Sequence, residues 1–139
     1  MTYEEKGQWV YVVAIVLTYC AYVAVIVGQA GQLPLAELNY VPTMLGAIGI
    51  GIGLAIVGRI VIEIARPSDS YDTDERDHNI GRFGEYVAGT VLGIGMVVPF
   101  ALTLAEFDYF WIGNAIYLAF VLSALVGSVV KVVAYRRGL

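Results

Sequence analysis

Four apolar runs, each about as long as a bilayer-crossing helix, constrain what this chain can fold into. Crossing the roughly 30 Å hydrocarbon core as helix takes about 20 predominantly apolar residues. Such runs extend from Trp9 to Val27, from Met44 to Ile64, from Tyr86 to Leu104 and from Phe110 to Val133. Only Arg59, Glu63 and Lys131 bring charge into them, each close to the end of its run. A helix closes its own backbone hydrogen bonds, which lipid cannot do for it. The expectation is an all-α integral membrane four-helix bundle, a single transmembrane domain over residues 1–139 with a middle loop at about 65–85. Composition agrees: 59% of the residues are hydrophobic and 14% charged, whereas a soluble domain carries about 25% charged residues. A chain this short buries too small a share of its surface to hide so much apolar area from water. A soluble enzyme, an ordinary nucleic-acid-binding domain and a disordered segment are therefore excluded, and no direct nucleic-acid contact is expected. Glu4 and Glu5 precede the first run, which is too long for a signal h-region, so it reads as a retained span.

Orientation follows from the basic residues. Lys6, Arg59, Arg66, Arg76, Arg82, Lys131, Arg136 and Arg137 all belong to the two termini, the middle loop or the helix ends adjoining them. The connections at Gly28–Thr43 and Ala105–Tyr109 hold no Lys or Arg. Short loops rich in Lys and Arg stay on the cytoplasmic side. Both termini and the middle loop are thus expected to be cytoplasmic, in a multi-pass protein of a prokaryotic plasma membrane.

A shift of 69 positions lays Leu35-Ala36-Glu37-Leu38-Asn39-Tyr40 on Leu104-Ala105-Glu106-Phe107-Asp108-Tyr109, and Gly58 on Gly127. Two tandem helical hairpins in a parallel pseudo-repeat are expected, related by an axis along the membrane normal. On that axis Glu37 and Glu106 would face each other across the outer mouth, as solvated loop charges or as a cation-binding pair.

Helices in lipid associate through small residues that let their backbones approach. Gly49 with Gly53, and Gly89 with Gly93, form GxxxG pairs; Ala119, Ser123 and Gly127 recur at four-residue steps in the last run. These positions are expected to pack the helices, with glycine left over for a contact between copies of the chain. Pro99 removes the donor for the Gly95 carbonyl and is expected to bend the third helix there.

Polar groups inside the membrane are the best pointers to function. Tyr11, Thr18 and Tyr22 share a face of the first helix, and Asn114 and Tyr117 lie in the last. They read either as helix-to-helix hydrogen bonds or as a ligand-facing set. No carboxylate lies mid-membrane, which argues against a proton-coupled exporter. Arg59 and Glu63 stand one turn apart and read as an interfacial ion pair, or as an anion or lipid-headgroup site. Cys20 and His78 are each single, so no catalytic residue, metal or cofactor is expected. Asp72, Asp74, Asp77 and His78 lack the Gly and terminal Glu of a calcium-binding loop.

The middle loop contains Asp74-Glu75-Arg76-Asp77. Asp72 or Thr73 is expected to cap a short amphipathic helix that enters the third span and presents Arg76, Ile80, Phe83 and Val87 on one side. With Ile80, Gly84 and the stretch from Phe110 to Phe120, this segment resembles small prokaryotic membrane proteins that carry a DERD motif, a family of unknown function with actinobacterial members. The resemblance covers about half of the chain, Asp74 to Gly138. It implies a four-helix membrane protein, often encoded beside a helix-turn-helix regulator, and supplies no catalytic residue. The expected function is a non-enzymatic scaffold or regulatory module acting on a protein partner through Asp74, Glu75, Arg76 and Asp77. The alternative is a homo-oligomeric transporter or channel for a small molecule or ion. Membrane lipid, a second copy of the chain and a protein at the loop are the expected partners.

Overall fold

The computed structural model describes residues 2–69 and 71–138. Met1, Ser70 (part of the expected middle loop) and Leu139 lie outside the described residues. All regular structure among them is helical: α1 (Tyr3–Ala30), α2 (Tyr40–Ala65), α3 (Glu75–Gly95), α4 (Val97–Leu104) and α5 (Tyr109–Arg137), plus one 3-10 turn at Leu35–Glu37. With α3 and α4 taken as one element, four helices are long and apolar enough to cross a membrane. Each overruns its apolar run at one or both ends. Thr2 caps α1 by accepting from the Glu5 N–H at 3.2 Å. Gly138, at φ 73°, closes α5 in the left-handed conformation that glycine tolerates.

The third helix differs most from the sequence reading. It starts at Glu75 rather than near Tyr86, so the DERD segment is its first turn and the amphipathic helix expected in the loop runs directly into the third span. Its cap is Asp74, not Asp72 or Thr73: Asp74 Oδ1 accepts from the Asp77 N–H at 2.8 Å, and Asp77 Oδ2 accepts from the Asp74 N–H at 3.2 Å. This reciprocal pair satisfies two backbone donors and places acid at the positive end of the helix dipole. The packed side also differs: Ile80 and Gly84 are buried whereas Phe83 is 56% exposed. At Met96 the helix breaks into α3 and α4, one residue beyond the Gly95 carbonyl that Pro99 leaves without a donor.

α5 is the central element. It packs along α3 and α4 on one side and against α1 on another, while α2 leans on α1. The α3–α5 contact is close because neither helix has bulk at the crossing. A Cβ on Gly127 would lie 2.8 Å from Ala88 Cβ and 3.1 Å from the Gly84 carbonyl oxygen. Ala119 and Ser123 are buried on the same stripe, and Ser123 Oγ donates to the Ala88 carbonyl at 2.8 Å. Gly51 and Gly58 seat α2 on Thr18 and Val10 of α1.

The two GxxxG pairs do not perform this packing. A Cβ on Gly49, Gly53, Gly89 or Gly93 would meet nothing within 4 Å among the described residues. On a 100° helical step these four stand opposite the glycines that touch a neighbour, so they face out of the bundle. The apolar surface is correspondingly large: Leu45, Ile50, Ile60 and Ile64 of α2 are all more than half exposed. Water-soluble monomers rarely expose apolar patches beyond a few hundred square ångströms.

Tandem hairpins related by a two-fold axis would make the α1–α5 contact equivalent to an α2–α3 contact. The first is extensive; α2 and α3 are not a substantially packed pair. The hairpin connections differ as well. Glu37 ends a 3-10 turn, whereas Glu106 adopts a left-handed backbone at φ 56°. The bundle is consequently open along the side between α2 and α3.

Candidate functional site

The two ends of the bundle are built from different chemistry. The end bearing the interhelical connections is locked by apolar and aromatic contact: Tyr22, Ile26, Leu38 and Phe110 are buried together, flanked by Tyr19, Tyr40 and Tyr117. Tyr117 meets Tyr22 and Tyr19 edge-on at 5.1 and 5.3 Å between centroids, and Tyr40 meets Phe110 at 5.4 Å. Tyr22 donates to Asn114 Oδ1 at 2.6 Å, while Asn114 Nδ2 donates to the Phe110 carbonyl at 2.9 Å. Tyr40 donates at 3.1 Å to the carbonyl of Tyr109, its equivalent at the 69-residue offset. Tyr22 and Asn114 are thus joined as a helix-to-helix hydrogen bond within the lock.

At the opposite end, the first turn of α1 is the keystone. Lys6 is buried and pairs with Glu63 at 3.0 Å, and its ammonium also donates to the Arg66 carbonyl, where α2 ends. Glu63 further accepts from the Ser68 N–H and hydroxyl and from the Tyr71 hydroxyl. That hydrogen bond to a carboxylate, followed by partial desolvation, raises the Tyr71 phenol above its ordinary value. Arg59 pairs with Glu4 at 3.0 Å and stacks over the Tyr3 ring at 4.1 Å. The pairing expected between Arg59 and Glu63 is therefore replaced: each reaches to α1, because the N-terminal turn lies between them and solvent. Glu5 lies 3.8 Å from Arg136, which ties α5 to the same turn, and Arg76 donates to the Tyr135 carbonyl, which ties α3 to α5.

Two of the concavities among the described residues gather candidate functional residues. The first is an acidic recess of about 280 Å³ at this polar end, bordered by Glu4, Asp69, Asp72, Asp74 and Asp77 together with Arg76. Three residues of the DERD motif line it; Glu75 does not. Among the described residues no group of three His, Cys, Asp or Glu side chains is placed to hold a metal ion.

The second is a groove along the open side. Its inner section, about 420 Å³, lies between α1, α2 and α5 and brings together Tyr11, Thr18 and Tyr117 with Gly51, Ile52 and Phe120. Thr18 contributes little polarity, because its hydroxyl donates back to the Ala14 carbonyl at 2.7 Å. A further section, about 460 Å³, continues toward the polar end and is bordered by Gln8, Arg59, Glu85, Ser128 and Lys131. Tyr11 and Ala124 border both sections, which are therefore neighbours. Of the five ligand-facing candidates, Tyr11, Thr18 and Tyr117 line this groove, while Tyr22 and Asn114 do not. The sequence reading offers Arg59 as part of an anion or lipid-headgroup site but joins it to Glu63 and misses Lys131. The signal for the pair is two cations falling inside separate apolar runs, each near a run end.

The chain is thus an all-helical protein with four helices long and apolar enough to span a membrane. Comparison with protein-family models, with curated proteins and with solved structures finds no match.

Proposed function

We propose that the protein is a non-enzymatic, multi-pass module of a prokaryotic plasma membrane that docks a protein partner at its cytoplasmic end. In this reading both termini and the DERD segment lie on the cytoplasmic side, as the distribution of Lys and Arg directs. The two hairpins are tandem copies whose shared geometry has diverged on the α2–α3 side. The observation that carries the reading is the acidic recess, in which five carboxylates surround a hollow with Arg76 as the lining cation. Its walls come from the start of α1, the capped start of α3, the end of α5 and the connection before α3, which supplies Asp69 and Asp72. A clustered negative field of this kind favours a Lys/Arg-rich segment and accelerates its encounter.

The test uses the full chain, extracted gently from its own membrane and analysed by native mass spectrometry. A heteromeric assembly is the expected result. Asp72→Asn with Asp74→Asn removes two charges while keeping an N-cap, since Asn caps about as well as Asp. Partner occupancy should fall at least tenfold with helicity unchanged. Recovery only of a partner-free chain, or full retention by the variant, would overturn the reading.

A homo-oligomeric transporter or channel is the second reading, favoured by the groove that gathers Tyr11, Thr18 and Tyr117. The groove opens sideways, so a closed path requires a second copy. Gly53→Leu on the outward face of α2 should then reduce both oligomer and liposome flux. Flux indifferent to that change would remove this alternative.

A further inference from the structure

The groove changes character along its length. Its inner section is lined almost wholly by apolar side chains and opens to the side of the bundle, where a spanning protein meets lipid tails rather than water. Its outer section ends on hydrogen-bond donors. Lys131 is 18% exposed and lies 3.7 Å from Glu85, whose own side chain is 76% exposed, so the pairing is loose. Arg59 is engaged by Glu4 through one terminal nitrogen, yet its Nε is buried with no hydrogen-bond partner among the described residues. A buried donor without an acceptor costs about 1–3 kcal/mol, so this guanidinium keeps hydrogen-bonding capacity that Glu4 does not use. The dimensions agree with one lipid leaflet. Arg59 to Ile48 is eleven residues of α2, roughly 16 Å at the helical rise, against half of a hydrocarbon core about 30 Å thick. Both residues border the groove.

We propose that this groove is a binding site for an anionic phospholipid of the surrounding bilayer, with its phosphate between Arg59 and Lys131 and an acyl chain along Tyr11, Ile52 and Phe120. The site rests on the membrane-spanning reading above but not on the docking of a protein partner. Guanidinium and ammonium groups are suited to phosphate, the first through its forked donors and the second as a compact charge. Glycine at position 51 and alanine at positions 55 and 124 keep the channel between the two sections free of bulk. The occupant would also explain why α2 and α3 diverge where a two-fold pseudo-repeat would bring them together: the lipid fills the place of that missing contact.

The experiment is native mass spectrometry of the delipidated full chain in detergent, titrated with phosphatidylglycerol or with phosphatidylcholine of the same acyl chains. One phosphatidylglycerol should be retained per chain, in preference to phosphatidylcholine. Arg59→Gln with Lys131→Gln should weaken phosphatidylglycerol retention about thirtyfold, equivalent to about 2 kcal/mol at 1.4 kcal/mol per tenfold, as expected for two interfacial charges. Ala124→Phe leaves both charges in place and blocks the junction of the sections. It should lose retention as well, so the proposal stays testable if the double variant fails to fold. Equal retention of the two lipids, or full retention by Ala124→Phe, would overturn it. So would a dimer that excludes lipid from the groove. Carbonate washing separates the two readings: a chain that stays in the membrane but selects no phosphatidylglycerol overturns this site alone, whereas release by carbonate overturns the membrane reading.

Discussion

Adding one methyl group to a glycine should have opposite effects at Gly127 and at Gly53, although both lie mid-helix in small-residue motifs. At Gly127 the new Cβ would be 2.8 Å from Ala88 Cβ and 3.1 Å from the Gly84 carbonyl oxygen. Carbon atoms in favourable contact sit about 3.5–4.0 Å apart, so the shortfall is roughly 1 Å. Neither neighbour is the end of a flexible side chain, so relief requires α3 to move away from α5. The same displacement stretches the 2.8 Å hydrogen bond from Ser123 to Ala88 beyond bonding range. Overpacking of this kind costs about 1–3 kcal/mol. At Gly53 a Cβ would meet nothing within 4 Å, leaving only the gain of about 1 kcal/mol from replacing Gly with Ala in a helix. That gain applies to both variants and cancels in the comparison. Gly127→Ala should therefore be about 1–3 kcal/mol less stable than Gly53→Ala in denaturant unfolding of the detergent-solubilised chain, followed by circular dichroism. Stabilities within about 0.5 kcal/mol of each other would refute the assignment of Gly127 to the helix crossing and of Gly53 to the outer face.

Four further outcomes are expected. Tyr22→Phe removes the donor to Asn114 Oδ1 and should cost roughly 0.6–1.7 kcal/mol, the range measured for such bonds in membrane proteins; a double-mutant cycle with Asn114→Ala should show coupling of the same size. Asp74→Ala breaks the reciprocal cap of α3 and should cost about 1 kcal/mol, whereas Asp74→Asn should cost much less; hydrogen exchange at residues 75–79 reads the difference. Glu106→Gly relieves the left-handed backbone at φ 56° and should stabilise the chain by up to about 1 kcal/mol on chemical denaturation. Cys20, exposed on the bundle surface within α1, should resist a charged maleimide in intact membranes and react after denaturation; rapid labelling in vesicles would contradict its placement against lipid.

The apolar runs announce four helices because length and hydropathy act locally, and burial in protein is not required to keep such a segment helical in lipid. The stripe of Ala119, Ser123 and Gly127 is legible for the same reason: a four-residue step puts all three on one side, and that side meets α3. GxxxG pairs are not equally informative, since spacing fixes a shared face without saying which way it points. Gly49 and Gly53 share a face, and it is the outer one. The ion pairs escape a sequence reading for a related cause. Arg59 and Glu63 stand at helical spacing, but the N-terminal turn of α1 offers each an opposite charge, Glu4 and Lys6, that sequence separation conceals. Hydropathy places the start of α3 too late because it marks where an apolar run begins. A capped helix begins where its backbone donors are satisfied, here at Asp74.

Repetition in the sequence and asymmetry in the fold have one physical connection. Gly58 and Gly127 are equivalents at the 69-residue offset, and each packs its helix on the other helix of its own hairpin: Gly58 on Val10, Gly127 on Ala88 and Gly84. The glycine position is shared, but its partners are not at equivalent positions, and the residues offset from buried Ala119 and Ser123 are the exposed Ile50 and Leu54. Between the hairpins, residues at the same offset differ in polarity. Tyr22 and Asn114 bind α1 to α5 by a hydrogen bond, whereas their equivalents at the same offset are Val91 and Leu45, which have no polar group to offer. In a bilayer, apolar side chains gain little from leaving lipid for each other. The hairpins consequently close on the side that has the hydrogen bond and stay apart on the side that does not. In the membrane-spanning reading the open groove is the direct outcome, and its charged end is bordered by Arg59 and Lys131 toward the polar ends of α2 and α5.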